Sequence, residues 1–165
     1  MTNLVIYNHG KDSVPWGEKA LALAEVAKAC GYAFISLDYR PVNDPERRVE
    51  QLLAADKGEY GKLVLVGSSM GGYVSAAAAD VLKPQALFLL APAFFLPGYP
   101  RTEFQTGGAR IEVMHGWRDD VVPPENTWRF CQNQGAVLHM VDSDHRLLSA
   151  LPEMTEWFER LLRHC

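Results

Sequence analysis

The sequence predicts a three-layer α/β/α domain built on a mostly parallel sheet of about six strands, and two observations predict it. Six short runs are almost continuously apolar, as strands buried on both faces of a sheet must be. The longer segments between them carry helical spacing and helix-end signals. Alternation of this kind stacks helices on both sides of the sheet through right-handed crossovers.

The strand candidates are Leu4 to Tyr7, Ala33 to Leu37, Leu63 to Val66, Ala86 to Leu90, Ile111 to Met114 and Val137 to Val141. Between the first two, Trp16 to Cys30 has apolar residues at helical spacing and stops at Gly31. Pro45 to Ala55 follows Asp44, an N-cap residue ahead of a proline at the first helical position. Ser69 to Leu82 is alanine-rich, and Pro124 to Gln134 ends before Gly135. Leu147 to Arg163 closes the chain, with Pro152 requiring a kink or a late start. One stretch breaks the alternation. Ala91 to Arg110 is loop-like and rich in proline, glycine and aromatics, and long loops of this kind are often functional.

With 165 residues the chain is expected to form a single domain, residues 1–165, with a core large enough to need no disulfide or metal. Hydrophobic residues make up 48% and charged residues 22%, which argues against disorder. A net charge of -4 gives no electrostatic reason to expect nucleic acid or an anionic membrane as partner. The start, Met1 to Tyr7, lacks the pattern of a secretory signal, and no apolar stretch approaches the roughly 20 residues a bilayer requires. The expected location is therefore cytoplasmic. The three cysteines, Cys30, Cys131 and Cys165, make neither a metal pattern nor a disulfide framework. They are expected to be reduced, with Cys30 and Cys131 packing in helices.

The chemistry centres on Gly67-Ser68-Ser69-Met70-Gly71. Gly-x-Ser-x-Gly alone is a weak signal. Here a buried strand precedes it and a helix of small residues follows, which is the setting of a nucleophile elbow. Ser69 is the candidate nucleophile, and a serine hydroxyl needs a base to take its proton. His145 sits just after the last strand, at the sheet end where the elbow also lies. The other histidines fit less well: His139 lies inside a strand, His164 is near the terminus, and His115 precedes the acid candidates. A carboxylate must orient the base. Asp119 and Asp120 both lie in the loop after the fifth strand; one is expected to face the site and the other to cap the helix beginning near Pro124. Asp144, next to His145 in the chain, points away as sequence neighbours usually do.

An oxyanion needs donors as well. The backbone N–H of Met70 is one candidate. The second is the Lys11 N–H in the loop after the first strand, where Gly10 permits a tight turn and His9 is expected to shape the backbone. Phe94, Phe95, Tyr99, Phe104 and Trp117 either line an acyl pocket, together with His9 and Gly10, or anchor loops to the core.

Four motifs in this order resemble the α/β-hydrolase fold superfamily: His9-Gly10 after the first strand, Gly67-x-Ser69-x-Gly71, His115-Gly-x-x-Asp119-x-x-Val122-Pro123, and Asp144-His145. The resemblance covers almost the whole chain. It favours Asp119 over Asp120 as the acid and implies the order Ser, Asp, His. The chain is short for that superfamily. It lacks the usual first antiparallel strands and a helical cap, and so is similar to the compact bacterial serine esterases of the YqiA type. The family's strand order makes Ala33 to Leu37 a sheet edge, which is expected either to be covered or to pair with a second copy in a homodimer. The implied activity is cleavage of a small-molecule acyl substrate, a carboxylic ester or thioester, through an acyl-serine, with no cofactor and no metal. Peptidase and C–C hydrolase chemistry stay open within the class. The rival reading is a non-catalytic ligand- or partner-binding module on the same fold.

Overall fold

A computed structural model describes residues 1–165. Its strands are β1 (Asn3–Asn8), β2 (Tyr32–Leu37), β3 (Leu63–Ser68), β4 (Ala86–Leu90), β5 (Arg110–Gly116) and β6 (Val137–Val141). Its helices are α1 (Glu18–Ala29), α2 (Pro45–Ala54), α3 (Met70–Leu82), α4 (Pro124–Gln134) and α5 (Leu151–Arg163). All six strands pair in parallel, in the order β2-β1-β3-β4-β5-β6.

The sheet separates two apolar clusters. Leu4, Ile6, Leu63, Leu65, Leu87 and Val113 point to one face, under α2, α3 and α4. Val5, Tyr7, Val64, Val66, Phe88 and Met114 point to the other, under α1 and α5. This period-two partition explains the continuous apolar runs: the central strands β1, β3 and β4 face apolar helices on both sides. β2 and β6 are the edges, and most of their residues are only half-buried. One face of β2 is covered locally, where Phe34 packs between Tyr7 and Trp16.

Local signals act as their chemistry dictates. The Asp44 side chain accepts the Arg47 N–H at 2.9 Å and starts α2. Pro152 delays α5: a single 3₁₀ turn, Leu148–Ala150, precedes it, and the proline sits in the first turn, where no helical N–H is lost. Asp120, one of the two residues considered as a cap for α4, does not cap it. The N-cap position is Pro123, and no side chain bonds there. Cys131 is buried in the cluster under α2, α3 and α4, Cys30 is half-buried against the cluster on the opposite face, and all three thiols are free.

The irregular stretch between β4 and β5 is held down by aromatic packing. Phe94 stacks on Phe130 of α4 with centroids 4.0 Å apart, and Tyr73 of α3 meets Tyr99 and Phe104 edge-on. Arg101 pairs with Glu46 of α2, and the Tyr73 hydroxyl donates to the same carboxylate. Asn126 of α4 donates to the Phe94 carbonyl. No helix of the chain is long and apolar enough to cross a membrane.

Candidate active site

Chain order reverses between β1 and β3: β2 follows β1 outward on one side, and β4, β5 and β6 follow β3 on the other. Crevices open at such points, at the carboxyl ends of the strands. Ser69 stands there, between β3 and α3. Its backbone has φ 54° and ψ -115°, a sparsely populated conformation for a residue with a side chain. Its surroundings determine it fully. The Ser69 N–H donates to the Leu90 carbonyl, and the Ser69 carbonyl accepts from Gly72, Tyr73 and Ala93. Gly71 is required by close approach: a Cβ there would stand 1.8 Å from the Asn8 carbonyl oxygen. The end of β1 thus lies directly against the start of α3, which brings the loop after β1 beside the serine.

Three side chains from three loops converge. Ser69 Oγ lies 3.0 Å from His145 Nε2, and His145 Nδ1 lies 2.7 Å from Asp119 Oδ2. Asp119 Oδ2 therefore accepts Nδ1–H, which leaves Nε2 free to accept the serine proton. The loops carrying the acid and the base are tied together. The Trp117 N–H donates to the Val141 carbonyl and the Arg118 N–H to that of Ser143. Gly116 makes this possible, since a Cβ there would meet the Ser143 carbonyl oxygen at 2.3 Å.

Asp119 is held on every side. Oδ1 accepts the N–H groups of Val121 and Val122, each at 2.8 Å, and His115 Nε2, which donates to the Val122 carbonyl at 3.0 Å, also stands 3.1 Å from Oδ2. Burial alone would raise its pKa. The bonds from His115, His145, Val122 and Val121 outweigh it and hold the carboxyl well below the usual carboxylate range. His115 is fully buried, and its other ring nitrogen lies 2.9 Å from Thr127 Oγ1. Sequence reasoning set His115 aside as a base, and its bond to the acid went unforeseen. Its place in the His115-Gly-x-x-Asp119 motif was the available signal.

The loop after β1 is organised by a residue that sequence reasoning missed. Arg48 of α2 is fully buried, has no carboxylate partner, and donates to the carbonyls of His9 (2.9 Å), Gly10 (3.2 Å) and Lys11 (3.2 Å). A trans peptide points its N–H opposite its C=O. Holding the Gly10 carbonyl towards Arg48 therefore turns the Lys11 N–H away from it, and that N–H has no backbone acceptor of its own. His9 adds a second restraint. It donates Nδ1–H to the Gly10 carbonyl at 2.8 Å and accepts the Tyr39 N–H at Nε2, which fixes a neutral tautomer. Burial pushes its pKa down, and the bond to Gly10 offsets only part of that effect. Met70 is the first residue of α3, whose first-turn N–H groups have no partner within the helix. Arg48→Met is expected to lower kcat about 10- to 100-fold with KM little changed, because a donor aimed at a developing oxyanion acts mainly in the transition state. Steady-state kinetics beside a thermal melt check this; an unchanged kcat would show that the carbonyl grip serves only folding.

The cleft around Ser69 has a volume of about 490 Å³. Gly10, Lys11, Asp12, Ser13, Lys19, Ser68, Tyr99, Val121, His145 and Arg146 line it with the serine. Of the residues considered for an acyl pocket, Gly10 and Tyr99 line this cleft. His9 is buried behind the loop, and Phe94 and Phe104 are buried in the core. Phe95 faces a separate hollow beside Phe130 and carries the Arg129 guanidinium on its ring. Trp117 is 64% exposed and lines a separate hollow with Trp128, Leu138 and Met140 near the β6 edge. The physical reason is the aromatic packing between the irregular stretch and α3 and α4, which spends those rings on anchoring. Gly10 itself has no left-handed φ, so it is a small cleft wall rather than an obligatory turn residue. No group of three or more His, Cys, Asp or Glu side chains converges as metal ligands would.

Residues 7–164 match the profile of the Alpha/beta hydrolase family. The chain belongs to that family. It is similar to a protein of Xanthomonas campestris assigned as a hydrolase of the alpha/beta superfamily, with 29% identity, a TM-score of 0.87 and 99% of each chain covered. Est1E from Butyrivibrio proteoclasticus shares the fold, with 18% identity, a TM-score of 0.83, and 99% of this chain and 88% of that one covered. The palmitoyl-protein thioesterase ABHD10 of Bos taurus, a mitochondrial protein, is 33% identical over 96 residues. That match covers 52% of this chain and 31% of the bovine protein, so the hydrolase chain spans about a third of that curated relative. The family match, the Xanthomonas protein and the bovine thioesterase support hydrolase activity, and Est1E adds the fold alone.

Proposed function

We propose that this hydrolase cleaves a carboxylic ester or thioester through an acyl-enzyme formed on Ser69. The observation that carries the reading is the continuous relay from Ser69 Oγ through His145 to Asp119, at 3.0 and 2.7 Å. In the first half-reaction Ser69 Oγ attacks the carbonyl carbon while its proton passes to His145 Nε2. The oxyanion gathers its charge near the N–H groups of Met70 and Lys11. As the tetrahedral intermediate collapses, the bond to the leaving group breaks and His145 returns the proton to the departing alcohol or thiol. Water, deprotonated by the same histidine, then releases the acid and restores the serine. Asp119 remains ionised throughout and stabilises the imidazolium.

The cleft supports a small or medium acyl group. Its lining is mostly polar, with Tyr99 and Val121 as the large apolar exceptions, and it offers no long apolar channel. The expected kcat/KM across p-nitrophenyl esters peaks at short or medium chains. A steady rise out to palmitate would contradict this and bring the chain closer to what the name of the bovine relative states. The direct test of the mechanism is a fluorophosphonate probe with peptide mapping. A stoichiometric adduct on Ser69, abolished by Ser69→Ala and His145→Ala, is expected. A folded protein that forms no adduct would instead support the reading as a non-catalytic binding module.

A further inference from the structure

The cleft is cationic in a chain whose net charge is -4. Lys11, Lys19 and Arg146 line it, and Asp12 is the one carboxylate among the lining residues. Elsewhere on the surface, Arg40, Arg101, Arg110 and Arg118 are paired with carboxylates. The cations of the cleft form no such pair. Lys19 is the telling case. It reaches from the first turn of α1 to a neutral hydroxyl, donating from Nζ to Ser68 Oγ at 3.0 Å, one residue before the nucleophile. Asp144 lies near enough to act on it electrostatically, but its Oδ1 accepts the Arg146 backbone N–H at 3.0 Å. Burial, with repulsion from Arg146, brings the Lys19 pKa down to about 8. An ammonium desolvated with no carboxylate in direct contact, beside a second cation and open to a cleft, lacks the paired anion that would stabilise it.

We propose that the cleft selects acyl substrates carrying an anionic group, such as a carboxylate or a phosphate, which binds between Lys19 and Arg146 beside Ser69. The inference rests on Ser69 acting as the acyl nucleophile. A substrate anion supplies the missing counter-charge, relieves the repulsion between the two cations, and fixes the reacting carbonyl over the serine. The Ser68 hydroxyl, already oriented by Lys19, offers a neutral contact to the same anion.

Two matched ester pairs test this and separate the side of the scissile bond that bears the charge. Mono-4-nitrophenyl adipate against its methyl ester places the charge on the acyl side. 4-Acetoxybenzoate against its methyl ester places it on the leaving group. Rates are normalised to hydroxide hydrolysis. At least one pair is expected to show a preference for the anion of about tenfold or more in kcat/KM, the worth of one charge-assisted bond, carried by KM. The preference should shrink with added salt. Lys19→Met and Arg146→Gln should each pull that ratio towards one, while Lys19→Arg, which keeps the charge, should retain most of it. A wild-type ratio near one for both pairs overturns the inference, as does a preference that Lys19→Met and Arg146→Gln leave intact. A fluorophosphonate adduct on Ser69 is read in parallel. An adduct with ratios near one removes the anion preference alone; no adduct and no ester turnover removes both readings.

Discussion

Ser69→Ala is expected to lower kcat by about 10⁴-fold or more while leaving the thermal midpoint close to wild type. Without Oγ there is no acyl-enzyme, and any residual hydrolysis comes from the oriented backbone donors acting on bound substrate and water. His145→Ala should fall to a similar level, because the hydroxyl and the imidazole act as one unit. Their losses are then far from additive, and the double variant Ser69→Ala/His145→Ala should be scarcely slower than either single one. Fold stability is not at stake in the serine change. Ser69 is held by its backbone, through Leu90, Gly72, Tyr73 and Ala93, and the hydroxyl contributes only its bond to His145. Alanine at φ 54° meets the same backbone strain as serine. The measurement is kcat on the best ester beside a melt. Turnover within tenfold of wild type, in protein free of host esterase, would rule out Ser69 as the nucleophile.

The parts of this molecule written locally were readable from the sequence. Strand and helix identities followed from apolar runs and caps such as Asp44-Pro45, because each signal sits within a few residues of its effect. Chain order placed Ser69, His145 and the Asp119-Asp120 pair at one end of the sheet, where loops after parallel strands must gather, and only the family resemblance favoured Asp119 over Asp120. What the sequence hid are side chains that cross between layers. Lys19 reaches Ser68 over 49 positions, and Arg48 reaches the Gly10 carbonyl over 38. No local pattern marks either residue, and each would pass for an ordinary solvated cation on a helix. The aromatic residues mislead for the opposite reason. Phe94 and Phe95 occur near the site in sequence, but packing against α3 and α4 decides which way their rings turn. Asp120 was eligible as a cap only while the α4 entrance was unknown; Pro123 occupies the position instead.

These long-range contacts give the cleft its character. The sheet supplies a rigid crevice, and the contacts from Ser69 through His145 to Asp119 are the arrangement that the proposed acyl transfer requires. Arg48 and His9 turn the loop after β1 so that its N–H groups are unspent. Lys19 then adds charge close to the nucleophile without joining the relay. Est1E, at 18% identity, shares the fold alone, and a fold does not dictate its cleft; here a few helix-borne side chains set the charge of that cleft.

Asp119→Asn is the second large effect, and the hydrogen bonds around the carboxylate determine its direction. Oδ1 accepts two backbone N–H groups, from Val121 and Val122, so the amide oxygen of asparagine must take that place. The amide nitrogen then falls where Oδ2 stood and directs its hydrogens at His145 Nδ1 and His115 Nε2. His145 can accommodate it only by accepting at Nδ1, which moves its own proton to Nε2, facing Ser69. In that tautomer it cannot take the serine proton, and kcat is expected to fall about 10⁴-fold with KM little changed. Stability should respond as well, and the sign follows from the depressed pKa. The folded carboxyl titrates well below its unfolded value near 4, so its stabilisation is fully present above that value and is lost as pH falls through the folded pKa. Wild type should therefore lose stability steeply below about pH 4, whereas Asp119→Asn should start lower at neutral pH and show a shallower acid slope. Chemical denaturation across that range reads the slope, and kcat at neutral pH reads the tautomer. Near-normal turnover in Asp119→Asn would mean that His145 is oriented by something other than this carboxylate.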